Sequence, residues 1–150
     1  CSKLCLPHLE RAANPHILTL CPPLNIEERW FAPHLAYSLA KFGMSLCVLG
    51  LAGELRPRGI AVNALWPRTV IGTAALQVAM QGASPDALRR VRSPQIVADA
   101  AHAMLTRDAR SFSGRFCIDE EILRETGVTD FSPYRAADVR EEDLLPDFFI

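Results

Sequence analysis

The sequence predicts an α/β protein built on a parallel sheet. Three short apolar runs, at residues 16–21, 59–65 and 114–119, have the length and composition of buried strands. Helical patterns separate these runs, at residues 35–55 and 94–105. Strands and helices that alternate in this order form a parallel sheet with helices on both faces, which explains why each strand is a nearly continuous apolar run.

Shorter elements follow from local signals. Residues 1–13 have a helical period, and residues 74–81 are a short helix candidate followed by a loop at 82–85. Ser93 precedes a proline and is predicted to be the N-cap of the next helix. The tail, residues 120–150, mixes prolines with an acidic run, so we expect loops and a short helix that wrap the surface.

Composition limits the classes of partner. With 150 residues, of which 49% are hydrophobic and 22% charged, the chain is an ordinary globular sequence long enough for one domain. A formal net charge of −1 gives no excess of cations for a nucleic-acid backbone, so we expect a small-molecule partner and no nucleic acid. The longest apolar stretch, residues 44–52, is too short to span a bilayer, and no membrane partner is expected.

The cysteines and histidines form no pattern typical of a metal or redox site. The five cysteines are odd in number and include no Cys-x-x-Cys pair. No histidine is followed by another His or Cys three or four positions later. We therefore expect no metal and a reducing compartment, the cytoplasm, with a mitochondrion or a peroxisome as alternatives in a eukaryote.

Tyr37 and Lys41 are the residues whose spacing suggests chemistry. They lie four positions apart at the start of the long predicted helix, so both side chains project from one face of it. A tyrosine with an ordinary pKa of about 10 is a poor base, but a neighbouring ammonium stabilises the phenolate and lowers that pKa. Such a tyrosine can exchange protons with a substrate. Taken alone, the pair is more often a half-buried aromatic beside a solvated lysine.

The order of the motifs carries more information than the pair. A strand ends near Cys21, the Tyr-x-x-x-Lys helix follows, and then come a strand containing Asn63 and a loop that begins at Pro67. This order resembles the short-chain dehydrogenase/reductase family, over nearly all of the chain as far as the last strand. The resemblance implies the carboxyl-terminal half of a doubly wound Rossmann domain, with residues 1–150 forming a single partial domain.

The resemblance also implies roles for individual residues. Tyr37 would be the general acid/base for a carbonyl or alcohol substrate, while NAD or NADP carries the hydride. Lys41 would lower the pKa of Tyr37 and hold the nicotinamide ribose. In the following loop, Pro67 and Ile71 would lie on the nicotinamide side and Thr73 on the diphosphate side.

The sequence departs from the family pattern at two places. Arg68 stands where the family has glycine, and the loop is one residue longer. Cys21 stands where a serine usually bonds the substrate carbonyl; a thiol is a weaker donor, and such a cysteine is most often a small buried residue. We keep Cys21 as a third catalytic candidate and expect carbonyl polarisation to depend on Tyr37. A hydrolase that uses Cys21 with His34 would need the two side chains within hydrogen-bond distance, and their spacing in the sequence does not indicate such a contact.

The glycine-rich turn that holds the cofactor diphosphate has no counterpart in these residues. Gly43, Gly50 and Gly53 lie within the long helix, where close packing is the expected reason for them. The chain opens inside a helical pattern, at Cys1, so we expect upstream residues to be missing. By itself the chain should bind nicotinamide weakly or not at all, and be inactive.

A non-catalytic role in assembly is the alternative. Short-chain dehydrogenases commonly pair through the helix that bears the Tyr-x-x-x-Lys motif and the helix before it, which here are residues 35–55 and 1–13. The resemblance therefore implies a homodimer or homotetramer. A truncated half-domain could keep that interface without turnover.

Overall fold

A parallel sheet of three strands forms the centre of the protein. The computed structural model describes residues 1–79, 81, 82, 84 and 86–150. Within them the strands are β1 (His16–Leu20), β2 (Ala61–Trp66) and β3 (Phe116–Ile118), in the order β1-β2-β3 with both pairs parallel. The predicted α/β class is confirmed. The third strand is shorter than predicted, because Asp119 already begins a helix.

Helices cover both faces of the sheet. Those in the described residues are α1 (Ser2–Leu9), α2 (Leu35–Leu55), α3 (Ala74–Ala79), α4 (Gln95–Leu105) and α5 (Asp119–Glu125). The long helix α2 has the predicted bounds, α1 ends earlier than predicted, and α5 is the short helix expected in the tail. Of the predicted helix 74–81, Met80 lies outside the described residues, as do Ala83 and Pro85 of the predicted loop.

The predicted N-cap at Ser93 is wrong. Pro94 occupies the cap position of α4, and no side chain caps the first turn of the helix. The backbone N–H of Ser93 donates instead to the carbonyl of Tyr134 at 2.7 Å. This bond uses Ser93 to join the start of α4 to the tail.

Apolar layers on both faces of the sheet explain why its central strand is apolar at every position except Asn63. All six residues of β2 are buried. On one face Leu65 packs in a cluster with Ile96 and Met104 of α4. On the other face Val62 packs in a second cluster with Val48 of α2. β2 is therefore the centre of the core, and it fixes α2 against the sheet.

Asn63 is the polar exception in β2. Its side chain is buried, with Nδ2 donating to the Phe112 carbonyl and Oδ1 accepting from the Arg115 N–H, both at 2.9 Å. The amide thus satisfies two backbone groups of the segment that leads into β3.

Replacing Asn63 with alanine should lower the free energy of unfolding by about 2–3 kcal/mol, because two partly buried backbone groups lose their partner. Urea titration of both proteins measures this difference. Asn25→Ala is the matched control, since its Oδ1 accepts only an exposed hydrogen bond from Glu27. It should cost less than about 1 kcal/mol, and equal losses in the two variants would contradict the role given to Asn63.

The outer face of α2 is apolar and open. Leu39, Leu46 and Leu49 are all exposed. A Cβ added at any of the three glycines of α2 would meet nothing within 4 Å. No element of the described chain packs against these glycines. The close packing expected there therefore stays a prediction, for a neighbour outside these residues.

Among the described residues, one segment is long and apolar enough to cross a membrane. It is Leu35–Arg58, which comprises α2 and the turn after it and contains an 18-residue window with a mean hydropathy of 1.6. This is a test of length and composition only, and core helices of soluble proteins also meet it. Here Val48, Ala52 and Leu55 pack in the core on the sheet. The expected absence of a membrane partner stays a prediction.

Candidate active site

The carboxyl ends of the three strands lie at one edge of the sheet. β1 leads into the loop before α2, β2 leads into the loop 67–73, and β3 leads directly into α5. Two serines on the inner side of α2 fix the helix over this edge. Ser45 Oγ donates to the Pro22 carbonyl at 2.7 Å, and Ser38 Oγ donates to the Trp30 carbonyl. Sequence reasoning missed both serines, because their partners lie outside the helix.

Tyr37 and Lys41 meet at this edge. The Lys41 Nζ atom lies 6.0 Å from the centre of the Tyr37 ring and 5.1 Å from the centre of the Trp66 ring. It also donates to the Leu20 carbonyl, at the end of β1, over 3.5 Å. Tyr37 is 45% exposed, so its ring lies beside a cation and still reaches solvent. The pair joins α2 to the ends of β1 and β2.

The pKa of Tyr37 is raised above its ordinary value. Burial is the main cause, because it disfavours the phenolate, and the nearby Asp147 carboxyl adds to it. The lowering by Lys41 that the sequence predicts is therefore not found. The ammonium lies over the ring and bonds the Leu20 carbonyl, instead of lying against the hydroxyl. In this structure Tyr37 is a neutral phenol at pH 7, better suited to donate a proton than to accept one.

Cys21 is fully buried at the end of β1, as expected of a small residue that follows a strand. Burial raises the pKa of its thiol, and the Ser45 hydroxyl and the Lys41 ammonium oppose that rise only in part. Within the described residues no hydrogen bond joins Cys21 to His34. The His34 ring packs edge-on against Phe148 instead, with 5.3 Å between ring centres. The hydrolase alternative therefore lacks its pair of residues.

The loop 67–73 crosses the carboxyl end of β2 and carries the predicted cofactor-binding residues. Pro67 directly follows the buried Trp66. Ile71 forms a bridge with Arg92, and the Ile71 N–H has no hydrogen-bond partner in the described part of the chain. Thr73 Oγ1 accepts the N–H of residue 76 at 3.2 Å at the start of α3, which leaves the hydroxyl hydrogen available to a ligand.

Arg68, at the position where the family has glycine, binds the acidic start of α5. Its backbone N–H donates to Asp119 Oδ1 at 2.9 Å, and its guanidinium pairs with Glu121 at 2.5 Å and with Glu120 at 3.7 Å. The loop after β2 is therefore held to the end of β3.

The end of the tail returns to the site, so the expectation that the tail only wraps the surface is wrong for residues 145–150. The Asp147 N–H donates to the Arg68 carbonyl at 3.0 Å. Trp66 Nε1 donates to the Phe148 carbonyl at 2.7 Å. One sequence signal could have indicated this return: the aromatic and apolar run at residues 148–150, which begins two positions after the last proline of a tail rich in charged residues.

Phe149 fills an aromatic cage beside the candidate acid/base. Its ring is 1% exposed and is surrounded by Trp30, Phe42 and Trp66, with ring centres at 5.7, 5.3 and 5.9 Å. It also stacks on Tyr37, with 6.2 Å between centres and 9° between planes. The two tryptophans of the sequence are thus part of one packed cluster with the tail.

Asp147 is a partly buried acid that no pattern in the sequence singled out. Burial raises its pKa to about 6, and the neighbouring Asp119 adds to the rise, while the Phe148 N–H and Lys41 oppose it. The folded state therefore holds the proton more tightly than the unfolded chain does. The stability contributed by neutral Asp147 is complete below about pH 4 and is lost as the pH rises through about 6.

Asp147→Asn, which keeps a neutral polar group, should gain stability over the wild type as the pH rises from 4 to 7.5. We expect a gain of about 1–2 kcal/mol after allowing for partial exposure. Denaturant titrations at several pH values measure it. Asp130→Asn is the control, because hydrogen bonds from Ser132 lower the pKa of this exposed carboxyl. A gain with pH in both variants, or a difference independent of pH in the first, would contradict this assignment.

The fold is that of the carboxyl-terminal half of a doubly wound Rossmann domain, as the comparisons with known proteins indicate. No protein-family model matches the chain. Hydroxysteroid dehydrogenase-like protein 2 from Danio rerio is 51% identical over 149 residues, which are 99% of this chain and 34% of that protein. The Homo sapiens protein of the same name is 46% identical over the same shares. The chain spans about a third of the length of these curated relatives.

Solved structures give the same result. A Xanthomonas campestris protein described as a dehydrogenase is 50% identical, with a TM-score of 0.87 over 100% of this chain and 53% of that one. A short chain dehydrogenase from Mycobacterium thermoresistibile is 43% identical, with a TM-score of 0.85 over 99% of this chain and 51% of that one. The chain is thus related to the short-chain dehydrogenases, as its motifs indicate.

Proposed function

We propose that the protein carrying this chain is an oxidoreductase of the short-chain dehydrogenase type, which interconverts a carbonyl compound and an alcohol. The observation that carries the proposal is the meeting of Tyr37 and Lys41 where β1 and β2 end, with Tyr37 open to solvent. Ligands of open parallel sheets bind at that edge. The relatives named above support the class of reaction.

The chain offers groups that fit a nicotinamide cofactor, NAD or NADP. The Lys41 ammonium would hold the ribose hydroxyls, and the Thr73 hydroxyl would face the diphosphate. The Ile71 N–H, which bonds none of the described residues, would meet the carboxamide. When bound, the cofactor supplies or accepts the hydride. Pro67 would shape the turn between the buried strand and these groups.

Proton transfer would fall to Tyr37. As a neutral phenol it donates its hydroxyl proton to the oxygen of a carbonyl substrate, and in the reverse direction the phenolate takes the alcohol proton. Lys41 holds a positive charge beside the phenolate as it forms. Cys21 is buried and keeps its proton, so Tyr37 is the principal donor to the substrate oxygen.

In the full-length protein, Tyr37→Phe should lower kcat/KM by about 100-fold or more, because the general acid/base is lost. Cys21→Ala should have a much smaller effect. Tyr134→Phe is the matched control, since its hydroxyl donates to Asp99 and it lies outside the site. Steady-state assays with NADH and NADPH over a panel of ketones measure all three. Loss of activity in Tyr134→Phe equal to that in Tyr37→Phe, or equal and severe losses in Tyr37→Phe and Cys21→Ala, would contradict these roles.

A second candidate function is assembly, and the open face of α2 favours it. Leu39, Leu46 and Leu49 project at helical spacing from the side where the helix glycines meet no neighbour. The exposed Leu4 of α1 adds to the apolar surface. We propose that a second copy of the chain covers this face, giving a homodimer or homotetramer, since soluble proteins seldom leave such patches open.

The double change of Leu46→Glu and Leu49→Glu should convert the assembly to monomers, because four buried charges would have no partners in a twofold interface. Size-exclusion chromatography with light scattering measures the mass. Leu105→Glu is the control, as Leu105 is exposed at the end of α4, outside this face. Dimers that persist in the double variant would show that the face is not the interface.

A further inference from the structure

The Phe148 ring lies open beside the candidate acid/base. It is 41% exposed, and its centre lies 6.1 Å from that of Tyr37 and 5.3 Å from that of His34, with both pairs edge to face. Together with Tyr37, the rings of Phe148 and His34 form an exposed aromatic surface beside the candidate acid/base, which we call the aromatic wall.

The position of Phe148 is fixed by the backbone. The Val70 N–H donates to the Leu145 carbonyl at 2.9 Å, and Trp66 Nε1 donates to the carbonyl of Phe148 itself. The next residue, Phe149, is locked in the aromatic cage although its φ of 71° is rarely adopted by a non-glycine residue. Packing of Phe149 therefore holds an unfavourable backbone shape, which leaves Phe148 outside the cage.

The charges around this wall favour an uncharged ligand. The Asp147 carboxyl lies close enough to raise the pKa of Tyr37, so an anionic substrate would be repelled there. Two cations could offset the repulsion, but Arg68 is engaged by Glu120 and Glu121. Lys41 bonds the Leu20 carbonyl and interacts with the Asp147 carboxyl itself, so no excess positive charge favours an anion. Exposed apolar side chains at Leu24 and Ile26, on the loop after β1, extend the apolar character of the loops around the site.

We propose that Phe148 is a specificity-determining residue, and that its ring selects uncharged carbonyl or alcohol substrates that carry a ring of their own. This inference rests on the proposed oxidoreductase function and names the substrate class of the same site. An edge-to-face or offset contact with a substrate ring would favour such compounds over small aliphatic ones.

The test compares ring ketones, acetophenone and 1-tetralone, with 2-butanone in the full-length protein. Phe148→Ala should raise KM for the ring ketones by about 5- to 10-fold, as expected for the loss of one aromatic contact, and change kcat less than about twofold. The kcat/KM for 2-butanone should stay nearly constant. Phe148→Leu should keep part of the preference, and Leu105→Ala, a residue of equal 41% exposure at the end of α4, should keep all of it.

Binding measured without turnover separates this inference from the proposed reaction. Saturation-transfer NMR should show that 1-tetralone binds the wild type and the Tyr37→Phe variant, and that Phe148→Ala weakens binding in both. Ring-ketone binding that depends on Phe148 but is not followed by turnover would support the specificity role of Phe148 and contradict the proposed oxidoreductase activity. Turnover or binding that is insensitive to Phe148→Ala, equal losses for ring and aliphatic ketones, or no binding of any ring ketone would overturn the inference.

Discussion

The central strand β2 hydrogen-bonds in parallel to β1 on one side and to β3 on the other, and the rest of the structure depends on this shared direction. Because the three strands end at the same edge, the loop before α2, the loop 67–73 and the start of α5 converge there. Because β2 is buried on both faces, α2 packs against it at a fixed position relative to that edge. The positions of Tyr37 and Lys41 follow from the pairing of the strands.

A buried ionic cluster ties the tail to this framework. Arg92 is fully buried and pairs with Glu120 of α5 at 2.8 Å and with Glu141 of the tail, while it also donates to the Phe131 carbonyl. A buried charge that loses one partner is costly, so the cluster strongly disfavours a displaced tail. Its contribution is to fix which arrangement the tail adopts, and thereby what lies beside Tyr37.

Local patterns in the sequence were enough for the helices, the strands and the Tyr37–Lys41 pair, because each depends on periodicity or on a four-residue spacing. The buried state of Cys21 was also foreseen from the ordinary behaviour of free cysteine. The raised pKa of Tyr37 was not, since it depends first on burial of the ring in the folded site and then on Asp147, which lies 110 positions later in the sequence. Long-range contacts of this kind, like the cage around Phe149, produce no periodic pattern in the sequence from which they could be predicted.

The aromatic cage also places the intrinsic fluorescence of the protein beside the candidate site. The chain has two tryptophans, Trp30 and Trp66, and both rings pack against Phe149. The indole N–H of Trp66 donates to the Phe148 carbonyl. Tryptophan emission from this chain therefore originates next to the tail, and its wavelength follows the polarity at that one place. Displacement of the tail would expose both tryptophan rings to water at once. The resulting change in emission could be followed without an added label.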